Sequence, residues 1–187
     1  MTTSADLRAL FVTALKGATD AGQAVYSPFD WPTAGDAYPA ILVHARRERK
    51  ESLGPNVPEF NVFTTVDITA RTKSPARAGD LGAADALMAA ERLKAQIEMA
   101  LINNPAIWAD PNGGQRIEQF TSVESDLMSS SEGSMPMAEL SMQIEVKFYQ
   151  GPEDFFPIPG VPLTEVSLGI PQPEGTTEPG LTITLPQ

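Results

Sequence analysis

His44 is the single histidine of a 187-residue chain that has no cysteine, so it is the first group to examine for proton transfer near neutral pH. No second histidine or cysteine accompanies it, which makes a poor zinc-type site, and a mid-strand position suits a histidine satisfied within its strand. Carboxylates come next. Asp67 and Thr69 fall on one side of an extended segment, and Glu124 and Asp126 on one side of another. Paired acids do general acid–base work only where their environments drive the two pKa values apart, and neighbouring surface carboxylates are common. Glu124, Asp126 and Glu132, beside the serine run at 129–131, offer oxygen ligands to a weakly bound cation, without the spacing of an EF-hand loop. The lack of cysteine removes disulfides, thiolate metal sites and thiol nucleophiles and fits a reducing cytoplasm. No Gly-x-Ser-x-Gly, P-loop or Gly-x-Gly-x-x-Gly pattern occurs. The expectation is a protein without enzymatic activity, cofactor or metal; the catalytic alternative is a small hydrolase or ligand-binding module using Asp67, Glu124 or His44.

The densest charge feature is Arg46-Arg47-Glu48-Arg49-Lys50-Glu51, in which four of the 13 basic residues occupy five positions. Arg71, Lys73 and Arg77 form a second group. Two accounts stay open: a solvated hairpin tip, or cations that meet acidic surfaces of identical neighbours. The net charge of −11 argues against gripping nucleic acid by its phosphates, which needs a basic face. It is compatible with DNA that passes an acidic channel without sticking.

These residues need elements to position them. Ser4 reads as the N-cap of a first helix, with Asp6 in its first turn and Gly17 at its end; Leu7, Leu10, Phe11, Ala14 and Leu15 make its apolar stripe. A short strand follows at Ala24 to Ser27, then a loop at Pro28 to Pro39. Strand two is expected at Ala40 to Arg46 and strand three at Phe60 to Thr72, with an exposed connection at Arg47 to Glu59 containing Gly54, Pro55 and Pro58. Strand three alternates Val62, Thr64, Val66, Ile68 and Ala70 with Phe63, Thr65, Asp67 and Thr69, and is long enough to overrun the sheet or bend. A long helix spans about Ala78 to Asn103, with Ala86, Ala90, Leu93, Ile97 and Leu101 on one face and Pro105 stopping it. Asn112-Gly113-Gly114 marks a turn before a strand at Gln115 to Leu127, and Met128 to Pro136 reads as a hairpin loop. In the last strand Ala138, Leu140, Met142, Ile144, Val146 and Phe148 alternate strictly with polar or amphipathic neighbours, the pattern of one buried and one wet face. The order α-β-β-β-α-β-β predicts an α+β domain over residues 1–150: an antiparallel sheet of four to five strands with two helices on one face. No run of 18 apolar residues exists, so no spanning helix and no membrane partner is expected, and the first residues lack a signal-peptide pattern.

Residues 151–187 hold eight of the 17 prolines, five acids and no base, which predicts an extended arm. Leu163 to Leu168 and Leu181 to Leu185 look strand-like between prolines. Since an isolated strand is unstable in water, they are expected to add to a sheet edge or dock in a groove, of this chain or a neighbour. Phe155, Phe156, Val166, Leu168, Leu181 and Ile183 make the arm too apolar for a solvated linker.

Read together, the N-terminal helix, the strand Pro39-Ala-Ile-Leu-Val43 with its charged continuation Arg46 to Glu51, the strand Phe63-Thr-Thr-Val-Asp-Ile-Thr-Ala-Arg71, the alanine-rich helix and the closing strand Met142-Gln-Ile-Glu-Val-Lys-Phe-Tyr149 resemble the tail terminator (tail completion) proteins of tailed bacteriophages, lambda-type. The resemblance covers residues 5–149, in element order and strand texture; the acidic arm is longer than that family leads one to expect. It implies a homo-oligomer, a hexameric ring on the last ring of the tail tube. Such a ring ends tube polymerisation, joins tail to head connector or stopper protein, and lets DNA pass through its channel without specific binding. It also implies a virion protein assembled in the host cytoplasm, whose subunit contacts would draw on Arg46, Arg47, Arg49, Lys50, Arg71, Lys73 and the apolar arm residues. A head–tail connector component or a tube-like subunit is the alternative post.

Overall fold

The computed structural model describes residues 2–27, 38–111, 113–130, 135–156, 165–169 and 180–184. Two compact units divide the chain, Met1–Asp154 and Phe155–Gln187. Within the first, a sheet of five strands runs in the order β1-β2-β3-β5-β4: β1 is Val25–Tyr26, β2 Ala40–Ser52, β3 Phe60–Lys73, β4 Gln119–Ser130 and β5 Met137–Gln150. The pairs β2–β3, β3–β5 and β5–β4 are antiparallel, whereas β1 lies parallel to β2. The fold is α+β as expected, with a mixed sheet in place of a purely antiparallel one. The parallel pair is only two residues long (Val25 opposite Ile41, Tyr26 opposite Leu42), and residues 28–37, between those strands, lie outside the described residues.

Both long helices cover one face of this sheet. The first, α1 (Ser4–Leu15), buries Leu7, Phe11 and Leu15 completely, with Leu10 and Ala14 packed at the margin. Its N-cap is Thr3 rather than Ser4: the Thr3 hydroxyl accepts from the Asp6 amide at 3.1 Å while the Asp6 carboxylate accepts from the Thr3 amide at 3.0 Å. Asp6 at the third helical position closes this reciprocal box and selects Thr3 over its neighbour. Gly17, with φ of 74°, follows the helix end in the left-handed region that glycine tolerates.

The second helix, α2 (Leu81–Leu101), follows a 3-10 turn at Ala78–Asp80. Its buried positions are Gly82, Ala86, Ala90, Leu93, Ile97 and Leu101. Small residues in the first half let the helix approach the sheet near Ala138, while the larger ones meet α1 and β3–β5 in the main core. Each fully buried Leu, Ile or Phe contributes about 1.5–3 kcal/mol relative to exposure. Pro105 does not merely stop α2: it opens a short helix, α3 (Pro105–Trp108), capped by Asn104. Proline suits that first position because its missing N–H would have no helical partner there.

The strands differ from expectation at their ends. β2 continues to Ser52, so the basic cluster lies in a strand and the connection to β3 is short, because Arg47–Ser52 pair residue by residue with Thr65–Phe60. β3 does not overrun the sheet; it is paired with β5 along its whole length, Phe60 opposite Gln150 through Lys73 opposite Met137. β4 starts at Gln119, four residues after Gln115, which makes only an isolated bridge to Ala109. It then reaches Ser130, inside the expected loop, whose residues 131–134 fall outside the described residues. Ala138, Leu140, Met142, Ile144, Val146 and Phe148 are all buried, as the alternation required. A short helix, α4 (Pro152–Phe155), follows β5.

In the second unit, β6 (Glu165–Gly169) and β7 (Gly180–Thr184) pair with each other as an antiparallel ribbon. The two strand-like pieces of the arm are thus each other's partners, and mutual pairing satisfies one edge of each strand. Positions 163–164 and 185 lie outside the described residues.

Candidate functional site

The sheet face opposite the helices carries the candidate residues. On β3 it presents Asn61, Phe63, Thr65, Asp67, Thr69, Arg71 and Lys73, the positions alternating with the buried ones. One rung crosses the sheet as His44, Asp67, Gln143 and Glu124. The three residues considered for chemistry therefore share a level, with His44 and Asp67 direct neighbours. Glu124 lies two strands from Asp67, roughly 10 Å at ~4.8 Å per strand, too far to share a proton. The Asp67 Oδ1 is buried without a hydrogen-bond partner in the described structure, and Oδ2 lies 3.6 Å from the Arg46 guanidinium. Among the described residues no cluster of three His, Cys, Asp or Glu is arranged to hold a metal ion; Glu132 of the proposed cation group is outside them. No helix among the described residues is long and apolar enough to cross a membrane.

The first basic group separates by strand parity. Arg47 and Arg49, opposite Thr65 and Phe63, face the open side; Glu48 and Lys50, opposite Thr64 and Val62, face the helix side. Arg46 is the extra residue of a bulge, the register shifting between Ala45 and Arg47, and bulges of this kind re-aim side chains. Lys50 is engaged within the chain: its ammonium donates to Gln150 Oε1 at 2.8 Å and lies 3.5 Å from Glu48. Gln150 is buried and donates to the Thr2 carbonyl at 2.8 Å. Ser4 hydrogen-bonds both Glu48 and the buried Thr64. This network ties the start of α1 to the ends of β2, β3 and β5. Arg49 stacks 4.6 Å over the Phe63 ring and pairs with Glu51. Arg47 is exposed and has no ion-pair partner among the described residues.

The second group sits at the opposite end of the same strands: Arg71 faces the Ala40 level while Phe63 faces Arg49, eight residues apart and so about 27 Å along β3. Arg71 pairs with Glu139 at 2.6 Å, Arg77 with Asp85 at 2.9 Å, and Lys73 lies 4.8 Å over the Tyr38 ring. Exposed pairs contribute about 0–1 kcal/mol each, which applies to the exposed Arg77, whereas Arg71 is half-buried against Glu139. A largely apolar depression of about 460 Å³ adjoins Arg71 and is lined also by Met128, Met137 and Glu139.

Of the apolar candidates, Phe155 is 43% and Phe156 76% exposed. The register of the ribbon sets Val166 opposite Ile183 and Leu168 opposite Leu181. An isolated two-stranded ribbon is marginal in water and needs a surface to pack against. Glu124 and Asp126, expected as a carboxylate pair or as part of a cation site with Glu132, both lie exposed on the outermost strand β4. At the lower end of the sheet, partial burial, then the carboxylates of Glu59, Glu153 and Asp154, hold the Tyr149 phenol above its usual pKa of 10.0.

No protein-family model and no curated protein matches this chain. Among solved structures, a chain from the virion of a native gene transfer agent particle aligns with 79% of this chain and 96% of its own length, at 15% identity and a TM-score of 0.41.

Proposed function

We propose that this protein is a structural component of a tailed-phage-type virion: a subunit of a ring, six copies by the family resemblance, that caps the tail tube, ends its polymerisation and joins tail to head connector. The observation that carries this reading is an α+β sheet whose β2 and β4 edges have, among the described residues, no strand beside them over most of their length, with Arg47, Glu124 and Asp126 exposed there and without an ion-pair partner among those residues. Such a surface suits binding between copies. Recognition on this account needs no catalysis and no cofactor: one ring face matches a tube subunit, the other does not, and the polymer ends. The net charge of −11 suits a conduit that DNA passes without adhering. Arg46, Arg47, Arg49, Arg71, Lys73 and the arm residues Phe155, Phe156, Val166, Leu168, Leu181 and Ile183 supply subunit contacts; Lys50 serves the internal network first. Adding purified protein to growing tail tubes tests the reading. Tubes are expected to stop lengthening and to carry one extra ring at an end when imaged. Unaltered tube growth with bare ends refutes it, and long tubes formed by this protein alone assign it the post of a tube subunit.

A further inference from the structure

Beyond the two-residue β1, the sheet is bounded by β2 on one side and β4 on the other, both long, oppositely charged and, among the described residues, open along most of their outer edges. On one side β1 covers β2 only at Ile41 and Leu42, so the outer edge from Val43 to Ser52 has no strand beside it among the described residues. That stretch reads Val-His-Ala-Arg-Arg-Glu-Arg-Lys-Glu-Ser, four bases against two acids. On the other side β4 presents twelve residues with Glu124 and Asp126 and no base. Neither acid has an ion-pair partner among the described residues, and on the opposite edge neither does Arg47. Glu118, Glu145 and Lys147, by contrast, are held nearby: Lys147 meets Glu118 at 2.7 Å, and Thr121 donates to Glu145 at 2.7 Å.

Strand direction permits these edges to join. Three successive antiparallel pairings make β2 and β4 run oppositely, so β4 of one copy beside β2 of the next, open faces on the same side, is itself an antiparallel pair. Unpaired N–H and C=O groups on both edges then satisfy each other, which is what an open edge strand is prone to do. Glu124 shares a level with His44, and Asp126 with Leu42. A stagger of four rungs, about 13 Å, sets Asp126 against Arg47 and Glu124 against Arg49, and the β1 cover at Leu42 favours a shift in that direction. The contact is head-to-tail, since it joins two different surfaces, and a rotation per copy that divides a full turn closes it into a ring.

We infer that the basic outer edge of β2 and the acidic outer edge of β4 are the two halves of the subunit interface, each copy giving Glu124 and Asp126 to Arg47 and Arg49 of the next. This rests on the ring reading above and adds to it which edges meet.

Charge exchange tests it on the full chain. Glu124→Lys with Asp126→Lys makes both edges basic; Arg47→Glu with Arg49→Glu makes both acidic. Each variant alone is expected to lose the ring and sediment as a 20.0 kDa monomer, while an equimolar mixture regains a ring in which the variants alternate. Arg47→Glu alone, which disturbs no internal pair among the described residues, is expected to weaken the ring while leaving the circular dichroism of the folded protomer unchanged. Rings that persist in each variant overturn the inference while leaving the ring reading intact, as does loss in both with no recovery on mixing. Rings that ignore the charge changes but vanish on removal of residues 155–187 assign the contact to the arm instead. A monomeric wild type overturns the ring reading and this inference with it.

Discussion

Gly82 sets two effects of opposite sign against each other. It lies in the first turn of α2 and is buried, and on helix propensity alone Gly82→Ala gains up to about 1 kcal/mol. A Cβ built there, however, meets the Pro75 carbonyl oxygen at 2.5 Å, Pro136 Cγ at 3.1 Å and Ala76 Cα at 3.3 Å. An ordinary contact needs roughly 1 Å more at the oxygen, and backbone must move to provide it. The preceding residue is anchored, since the Ser74 amide donates to the Pro136 carbonyl at 3.1 Å, so the segment resists. Overpacking of this kind costs about 1–3 kcal/mol, and at the first turn the propensity gain is below its full value. The net expectation is a loss of about 1–2 kcal/mol, a fall in Tm of roughly 2–8 °C for a chain of this size. Differential scanning calorimetry reads it directly. Gly54→Ala is the control: its Cβ meets nothing within 4 Å and its backbone is not left-handed, so Tm should hold or rise slightly. A Gly82→Ala protein as stable as wild type, or more so, refutes the claim that α2 begins in close contact with the segment after β3.

Thr3→Ala removes the hydroxyl half of the α1 capping box and should cost about 0.5–2 kcal/mol in thermal or denaturant unfolding, with Thr3→Ser close to neutral. Thr72→Val deletes the buried hydroxyl that donates to the Ala86 carbonyl at 2.7 Å and should cost about 1 kcal/mol by the same measurement. Tyr149 keeps its proton above the usual value of 10.0, so the folded state binds more protons than the unfolded one there, and stability falls as pH rises past 10 toward the raised pKa. A titration followed at 295 nm should show a late-ionising tyrosine that Tyr149→Phe removes. Truncation after Gln150 should leave the first unit folded by circular dichroism and weaken assembly; failure of that fragment to fold would place the arm in the core.

What could be read from the residues follows from where burial is one-sided. β5 was legible to within a residue because its inner positions are wholly buried and its outer ones largely wet, and the α2 positions from Ala86 to Leu101 were legible because a helix on a sheet buries one stripe. The second half of β2 was not. Arg46 to Glu51 has no apolar alternation, and only pairing with Phe60–Thr65 makes it a strand. Pro105 gave a correct stop for α2, but a proline reads alike as a terminator and as a first helical residue. The edge position of Glu124 and Asp126 depends on β5 inserting between β3 and β4, a consequence of tertiary pairing that no local pattern carries. The same holds for Lys50, whose bond to Gln150 spans 100 positions.

The central claim is that this chain works as a ring, and the mass of the native full-length protein at micromolar concentration tests it most directly. Native mass spectrometry is expected to show one closed species at six times the 20.0 kDa protomer. A monomer alone, with no larger species as concentration rises, would contradict the account.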